Sequence, residues 1–199
     1  MDNPIIAFFV TAYEQMIDSF INNPIAQAIG ALALILSLIS FQMKERRTIL
    51  LFQMLASLSC AVSLIMLGGI AGGILDVIAF SRTLVFSLSD RYKWAGSKIC
   101  LFSYFALIIA VGILTWESGS IATLFAILGT LLSTLALFMK SERNIRLISL
   151  LVAPPWIAYN LIYSSCFGIL NELIAMTSII IALFRMRKSR SQNIESTTK

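Results

Sequence analysis

Residues 25–67 read IAQAIGALALILSLISFQMKERRTILLFQMLASLSCAVSLIML: two apolar runs joined by a turn holding Lys44, Glu45, Arg46 and Arg47. About 20 apolar residues in a helix cover the roughly 30 Å hydrocarbon layer of a bilayer, and each of these runs is that long. The alternation continues, with apolar runs at about 25–43, 48–67, 70–89, 98–116, 119–139, 146–164 and 168–186. Seven spanning helices are therefore expected, and their short connections make neighbours antiparallel. The positive residues fall in alternate connections: Lys44, Arg46 and Arg47; Arg91, Lys93 and Lys98; Lys140, Arg143 and Arg146; then Arg185, Arg187, Lys188, Arg190 and Lys199. The connections around Gly68–Gly73, Glu117–Ser120 and Ser164–Phe167 carry none. Short loops rich in Lys and Arg stay cytoplasmic. The charge pattern thus predicts an N-terminus outside and a C-terminus inside.

Composition agrees. A chain of 199 residues with 58% apolar and 13% charged residues and mean hydropathy +0.88 is far from a soluble domain, in which charged residues make up about a quarter. The bilayer is its first partner. The formal charge of +5 is explained by loop topology, so no nucleic acid is expected. Cys60, Cys100 and Cys166 lie in or beside apolar runs without disulfide or zinc spacing. Histidine is absent, which removes the commonest metal ligand. No metal and no other cofactor is expected.

The two ends read differently. Residues 1–24 lack the positive start and the cleavage site of a signal peptide. Ile5, Phe9, Tyr13, Met16 and Phe20 recur every three or four residues, opposite Thr11, Glu14, Gln15 and Asp18. That pattern predicts an amphipathic helix on the outer membrane surface. Glu14, Asp18 and Pro24 argue against an eighth span. Residues 188–199, polar and rich in Ser and Thr, read as a disordered cytoplasmic tail.

The chain also resembles itself. Phe41-Gln42-Met43-Lys44-Glu45-Arg46-Arg47 is echoed by Phe138-Met139-Lys140-Ser141-Glu142-Arg143-Asn144, and Gly73-Ile74-Leu75-Asp76 by Gly168-Ile169-Leu170-Asn171. Spans 1–3 and 5–7 come into register on these matches. A unit of three helices reverses direction, and an unpaired fourth helix restores it. The fold expected is all-α: a triple-helix bundle at 25–89, a linker helix at 98–116 and a second bundle at 119–186, related by an axis along the membrane normal. This is a 3+1+3 arrangement.

Charges at mid-bilayer cost roughly 2.5–3.5 kcal/mol on insertion scales and default to functional hypotheses. Asp76, Arg82 and Glu172 are the candidates. Asp76 and Arg82 are about 240° apart around one helix and cannot share a face. Arg82 therefore needs an ion-pair or polar partner on another helix, or snorkels to the surface. Both residues serve equally well as structural glue between helices, and Glu172 as an interfacial carboxylate. Pro154 and Pro155 remove two N–H donors near mid-membrane and predict a kink or break. Trp156, Asn160 and Tyr163 follow at spacings of four and three, an aromatic and amide face suited to a small polar ligand. Plain helix packing around a proline kink is the alternative. In the matching part of span 2, Ser57, Ser59, Cys60 and Ser63 either leave space or let helices approach closely.

The run Trp156-x3-Asn160-x4-Ser165-x2-Gly168-x3-Glu172 resembles the signature of the YgjV-type bacterial inner membrane proteins. The likeness extends to Lys44-Glu45-Arg46-Arg47, Gly73-Ile74-Leu75-Asp76 and Phe184-Arg185-Met186, and covers about residues 25–188. The resemblance implies a multi-pass bacterial inner (plasma) membrane protein, similar in architecture to the SWEET, PQ-loop and PnuC carriers. Two residues depart from the pattern: Asp76 stands in place of Asn, and Arg82 falls outside an N-x-x-R spacing.

The function expected is a carrier that binds a small polar solute between the bundles, with Trp156 stacking on it and Asn160 and Asn171 hydrogen-bonding it. Asp76 or Glu172 would recognise a positive group or couple a proton. The alternative is a non-transporting receptor or assembly protein on the same scaffold. An enzyme is not expected: there is no H-E-x-x-H metal motif, and repeat symmetry tends to hold Asp76 and Glu172 apart. The substrate is not legible, and homo-oligomerisation is left open.

Overall fold

A computed structural model describes residues 4–43, 45–88, 91–116, 120–139 and 141–197. They form eight helices and no strand: α1 Pro4–Asn22, α2 Pro24–Gln42, α3 Arg46–Met66, α4 Ile70–Ser87, α5 Lys98–Leu114, α6 Ile121–Phe138, α7 Glu142–Ile162 and α8 Cys166–Thr197. Lys44, Lys140, Lys199 and residues 117–119, all used in the charge and span reading, lie outside the described set.

The helix boundaries follow local chemistry. Pro24 opens α2, where its fixed φ suits a first turn and its missing N–H costs nothing. Ser97 caps α5 by accepting from the Cys100 N–H at 3.2 Å. Gly68 ends α3 in the left-handed region, φ 88°. There Gly68 N–H donates to Ile65 O at 3.1 Å and Gly69 N–H to Leu64 O at 2.8 Å, the paired bonds of a Schellman turn.

The same backbone solution recurs 96 residues on. Ser164 takes φ 51° after α7, with Ser164 N–H donating to Leu161 O at 3.2 Å and Ser165 N–H to Asn160 O at 2.9 Å. The turn after α2 behaves likewise. Met43 has φ −75°, ψ 145° and Met139, 96 residues later, has φ −70°, ψ 142°. Glu45 and Ser141, which precede α3 and α7, match as closely, at −82°, 125° and −86°, 122°.

Packing follows the echo. α3 packs on α2 and α4, and α7 on α6 and α8. Between these groups, α2 meets α8 and α4 meets α6. If α2, α3 and α4 correspond to α6, α7 and α8, each of those contacts is the other's equivalent. α5 leans on α4 and α6, and α1 on α2. A buried apolar cluster of Leu64, Leu75, Ile78, Ile108, Ala126 and Tyr159 ties α3 to α7 together. The outward faces are apolar as well, with Leu51, Ile113, Leu124 and Leu151 all at least half exposed. A soluble monomer rarely shows so continuous an apolar surface; lipid requires it.

Among the described residues, five helices are each long and apolar enough to cross a membrane: Thr48–Met66, Ile70–Ser87, Ile121–Phe138, Arg143–Ile162 and Cys166–Phe184. Lys98–Leu114 is shorter, and α1 and α2 meet at a bend of 102°. On α1, Ser19 is buried while Tyr13 and Phe20 are exposed. Two expectations need correction. The polar tail after residue 188 does not leave the helix but prolongs α8 to Thr197. No Gly or Pro follows Gly168 to stop it, and an established helix propagates far more readily than it nucleates. Of the kink or break expected at Pro154 and Pro155, it is the break that is not seen: α7 runs through both as one element.

Candidate functional site

A cavity of about 340 Å³ lies between the two helix groups. Its walls come from α2, α3, α4, α6, α7 and α8, with Ser165 from the turn before α8; among the described residues neither α1 nor α5 contributes. A larger groove of about 750 Å³ lies along α8, beside Arg146 of α7. Leu170, Leu173 and Ile181 line that groove and are exposed, so it is a lipid-facing furrow rather than a polar site.

Asp76 enters the cavity from the second turn of α4. Ser57 on α3 donates to its backbone carbonyl at 2.9 Å, and the Cys60 thiol faces its carboxylate. The carboxylate Oδ2 is buried with no hydrogen-bond partner.

Arg82, two turns further along α4, is 5% exposed. Its Nη1 donates to Thr130 O at 3.1 Å, to Ser133 Oγ at 3.0 Å and to Thr134 Oγ1. These acceptors sit at i, i+3 and i+4 on one face of α6. The guanidinium is thus held by neutral oxygens, not in the ion pair the sequence left open. Its Nε is buried without a partner.

α7 supplies the aromatic and amide wall. Trp156 lies against α6 because residue 129 is glycine: a Cβ there would fall 2.6 Å from the indole Nε1. Asn160 is 3% exposed and donates from Nδ2 to Trp156 O at 2.9 Å. Its Oδ1 is buried and unpartnered, packed over Gly168, where any Cβ would collide with it. From α8, Asn171 and Glu172 complete the wall, Asn171 Nδ2 lying 3.4 Å from Glu172 Oε1.

Six of the seven polar or aromatic residues singled out from the sequence therefore share one cavity: Asp76, Arg82, Trp156, Asn160, Asn171 and Glu172. The seventh, Tyr163, does not join them. It packs on Tyr159 with ring centroids 4.8 Å apart and the rings tilted by 44°, and lines a separate recess with Asp18, Asn23 and Ser164. Tyr163 is the C-cap of α7, beyond the last full turn, so the i, i+7 face projected from Trp156 no longer holds there. Asp76 and Glu172, expected to stand apart, line the same cavity from α4 and α8. Helices related by a common axis turn their equivalent faces toward it, and Asp76 and Asn171 are equivalents in the echo.

Sequence reasoning missed Tyr159, the largest fully buried side chain. Its hydroxyl accepts from Gly72 N–H at 2.7 Å, satisfying a donor in the first turn of α4 that has no intrahelical partner. Nothing in the sequence separates Tyr159 from lipid-facing aromatics. The Thr130, Ser133 and Thr134 face that seats Arg82 was missed as well; its one signal is the i, i+3, i+4 spacing of three hydroxyls in an apolar run. Ser63, noted for its size, bonds Ala26 O at 2.8 Å and so fastens α3 to α2. Chemically, the cavity presents two carboxylates, a guanidinium, amides and an indole, with three buried polar atoms that have no hydrogen-bond partner in the protein.

Apolar helices of spanning length around a polar centre define a multi-pass membrane protein. The model of the Imp-YgjV family, bacterial inner membrane proteins, matches residues 24–190. The chain belongs to that family, so its place is the bacterial inner membrane. The match begins at the start of α2 and leaves α1 outside. No curated protein and no solved structure matches the chain.

Proposed function

We propose that this protein is a carrier that takes a small polar solute across the inner membrane by alternating access. The solute binds in the central cavity between bundles α2–α4 and α6–α8, with α5 as the linker of a 3+1+3 fold. One observation carries this reading: a cavity of about 340 Å³ lies between the two halves, lined by all six bundle helices and holding unpartnered polar atoms of Asp76, Arg82 and Asn160. A scaffold protein would be served by a dry, tightly packed centre, because an unsatisfied buried polar group costs about 1–3 kcal/mol. The recurrence of both turn geometries at 96 residues supports two halves able to rock about a common axis. In this reading α2 and α5 also span, giving seven crossings, with α1 on the outer surface, the N-terminus outside and the C-terminus in the cytosol. The SWEET-like likeness belongs to the same reading, and no catalysis is assigned.

The test is solute counterflow into vesicles reconstituted with the purified chain, across sugars, amino acids, amines and nucleosides. Trp156→Ala and Asn160→Ala should abolish uptake while leaving insertion and expression intact. Undiminished uptake by both variants would remove the cavity from the transport path.

A further inference from the structure

We infer that the solute is a small organic cation, its positively charged nitrogen seated between Asp76 and Glu172 beside Trp156 and Asn160. The inference rests on the carrier reading and narrows it to one chemical class.

The cavity holds two carboxylates and a single guanidinium; among the described residues no lysine and no second arginine lines it. That guanidinium is engaged elsewhere, its Nη1 turned to three oxygens of α6. It also stands six residues from Asp76 on the same helix, roughly 9 Å along the axis and on another face. Arg82 attracts Asp76 through space, but its Nη1 is spent on α6, and no other cation among the described residues lines the cavity to pair with Asp76 or Glu172.

The vacant hydrogen-bonding capacity has the matching sign. Asp76 Oδ2 and Asn160 Oδ1 are both acceptors, both buried and both without a partner. With the Asp76 carboxylate ionised, both can be satisfied only by donors. Glu172 Oε1 has only a 3.4 Å contact to Asn171. A protonated amine supplies donors and positive charge together, and its carbon stem can lie against the Trp156 indole, whose π face attracts cations. A neutral polyol brings no charge to keep the carboxylates ionised in a desolvated site, and an organic anion is repelled by them when they are ionised. The orphan donor, Arg82 Nε, suits an oxygen at the far end of the same solute. A volume of about 340 Å³ is at the small end for ligand pockets, which span roughly 300–1,000 Å³, so the solute has few carbons.

The test uses the full chain in lipid nanodiscs, with thermal unfolding followed against ethanolamine, 1,4-diaminobutane, glucose, succinate and sodium chloride at matched ionic strength. Ligands that bind only the folded state raise the midpoint. The two amines should raise it saturably by several degrees; glucose, succinate and sodium chloride should not. Asp76→Asn and Glu172→Gln should each weaken amine binding at least tenfold. Gln53→Glu, which adds a negative charge to the cavity wall at an exposed position without removing a carboxylate or a hydrogen bond of Asn160, should tighten it, so the proposal stays testable if the other variants fail to fold. Amine binding undiminished by Asp76→Asn and Glu172→Gln, or untightened by Gln53→Glu, would overturn it. So would stabilisation by sodium chloride equal to that by the amines. Stabilisation by glucose or succinate alone would overturn the cation class while leaving the carrier cavity standing. No response to any probe, together with no counterflow, would remove both.

Discussion

Replacing Tyr159 with Phe removes one oxygen atom from the centre of the protein and should cost far more than its size suggests. The Tyr159 hydroxyl lies 2.7 Å from the Gly72 N–H, which sits in the first turn of α4 and has no intrahelical partner. The side chain is fully buried, so water does not replace the lost oxygen. Nor can the helices close up. A Cβ at Gly72 would already collide with the Tyr159 ring, and the ring is wedged edge-on against Trp156 with centroids 5.6 Å apart. Leaving a buried donor unsatisfied costs about 1–3 kcal/mol. For a chain of this size that corresponds to roughly 2–4 °C in unfolding midpoint per kcal/mol. The assay is thermal unfolding of the purified chain in one detergent, with Tyr104→Phe as control. The Tyr104 hydroxyl makes only a 3.5 Å contact with Ser81, and its loss should shift the midpoint by under a degree or so on the same scale. Equal midpoints for Tyr159→Phe and Tyr104→Phe would refute the reasoning that α4 is anchored through this bond.

Other perturbations separate the structural devices. Gly68→Ala forces a side chain into the left-handed region, where nothing crowds it but the backbone is strained; it should lose about 1 kcal/mol in chemical denaturation. Ser164→Gly relieves the equivalent position and should gain up to about 1 kcal/mol, so a loss there would contradict the matching turns. Thr134→Val withdraws an acceptor from the buried Arg82 and should destabilise by about 1–3 kcal/mol, whereas Arg82→Met removes the charge with the need for it and should cost less. Gly129→Leu drives a side chain into the space of the Trp156 indole and should abolish solute uptake while the chain still inserts. Reporter fusions at the two termini should report opposite compartments; a shared compartment would end the seven-span topology.

Much of the site was visible in the sequence because polar residues inside apolar runs are conspicuous. Asp76, Arg82, Asn171 and Glu172 stood out for that reason, Trp156 and Asn160 by their spacing on one helix face, and all six line one cavity. Tyr163 was drawn in by helical periodicity and left out by the end of α7. Tyr159 was overlooked because an aromatic in a spanning helix looks the same whether it faces lipid or the core.

Hydrophobicity and charge are properties of consecutive residues, so the chain alone determined where the helices lie, that they are membrane helices, and which turns echo each other. How each helix is rotated about its own axis is settled only when its side chains meet those of its neighbours. Glycines at 72, 129 and 168 decide how closely those neighbours approach. That packing alone turned Arg82 toward α6 and brought Asp76 and Glu172 to a common space. It also left Asn160 Oδ1 without a partner, because a helix can bury a polar atom without providing for it.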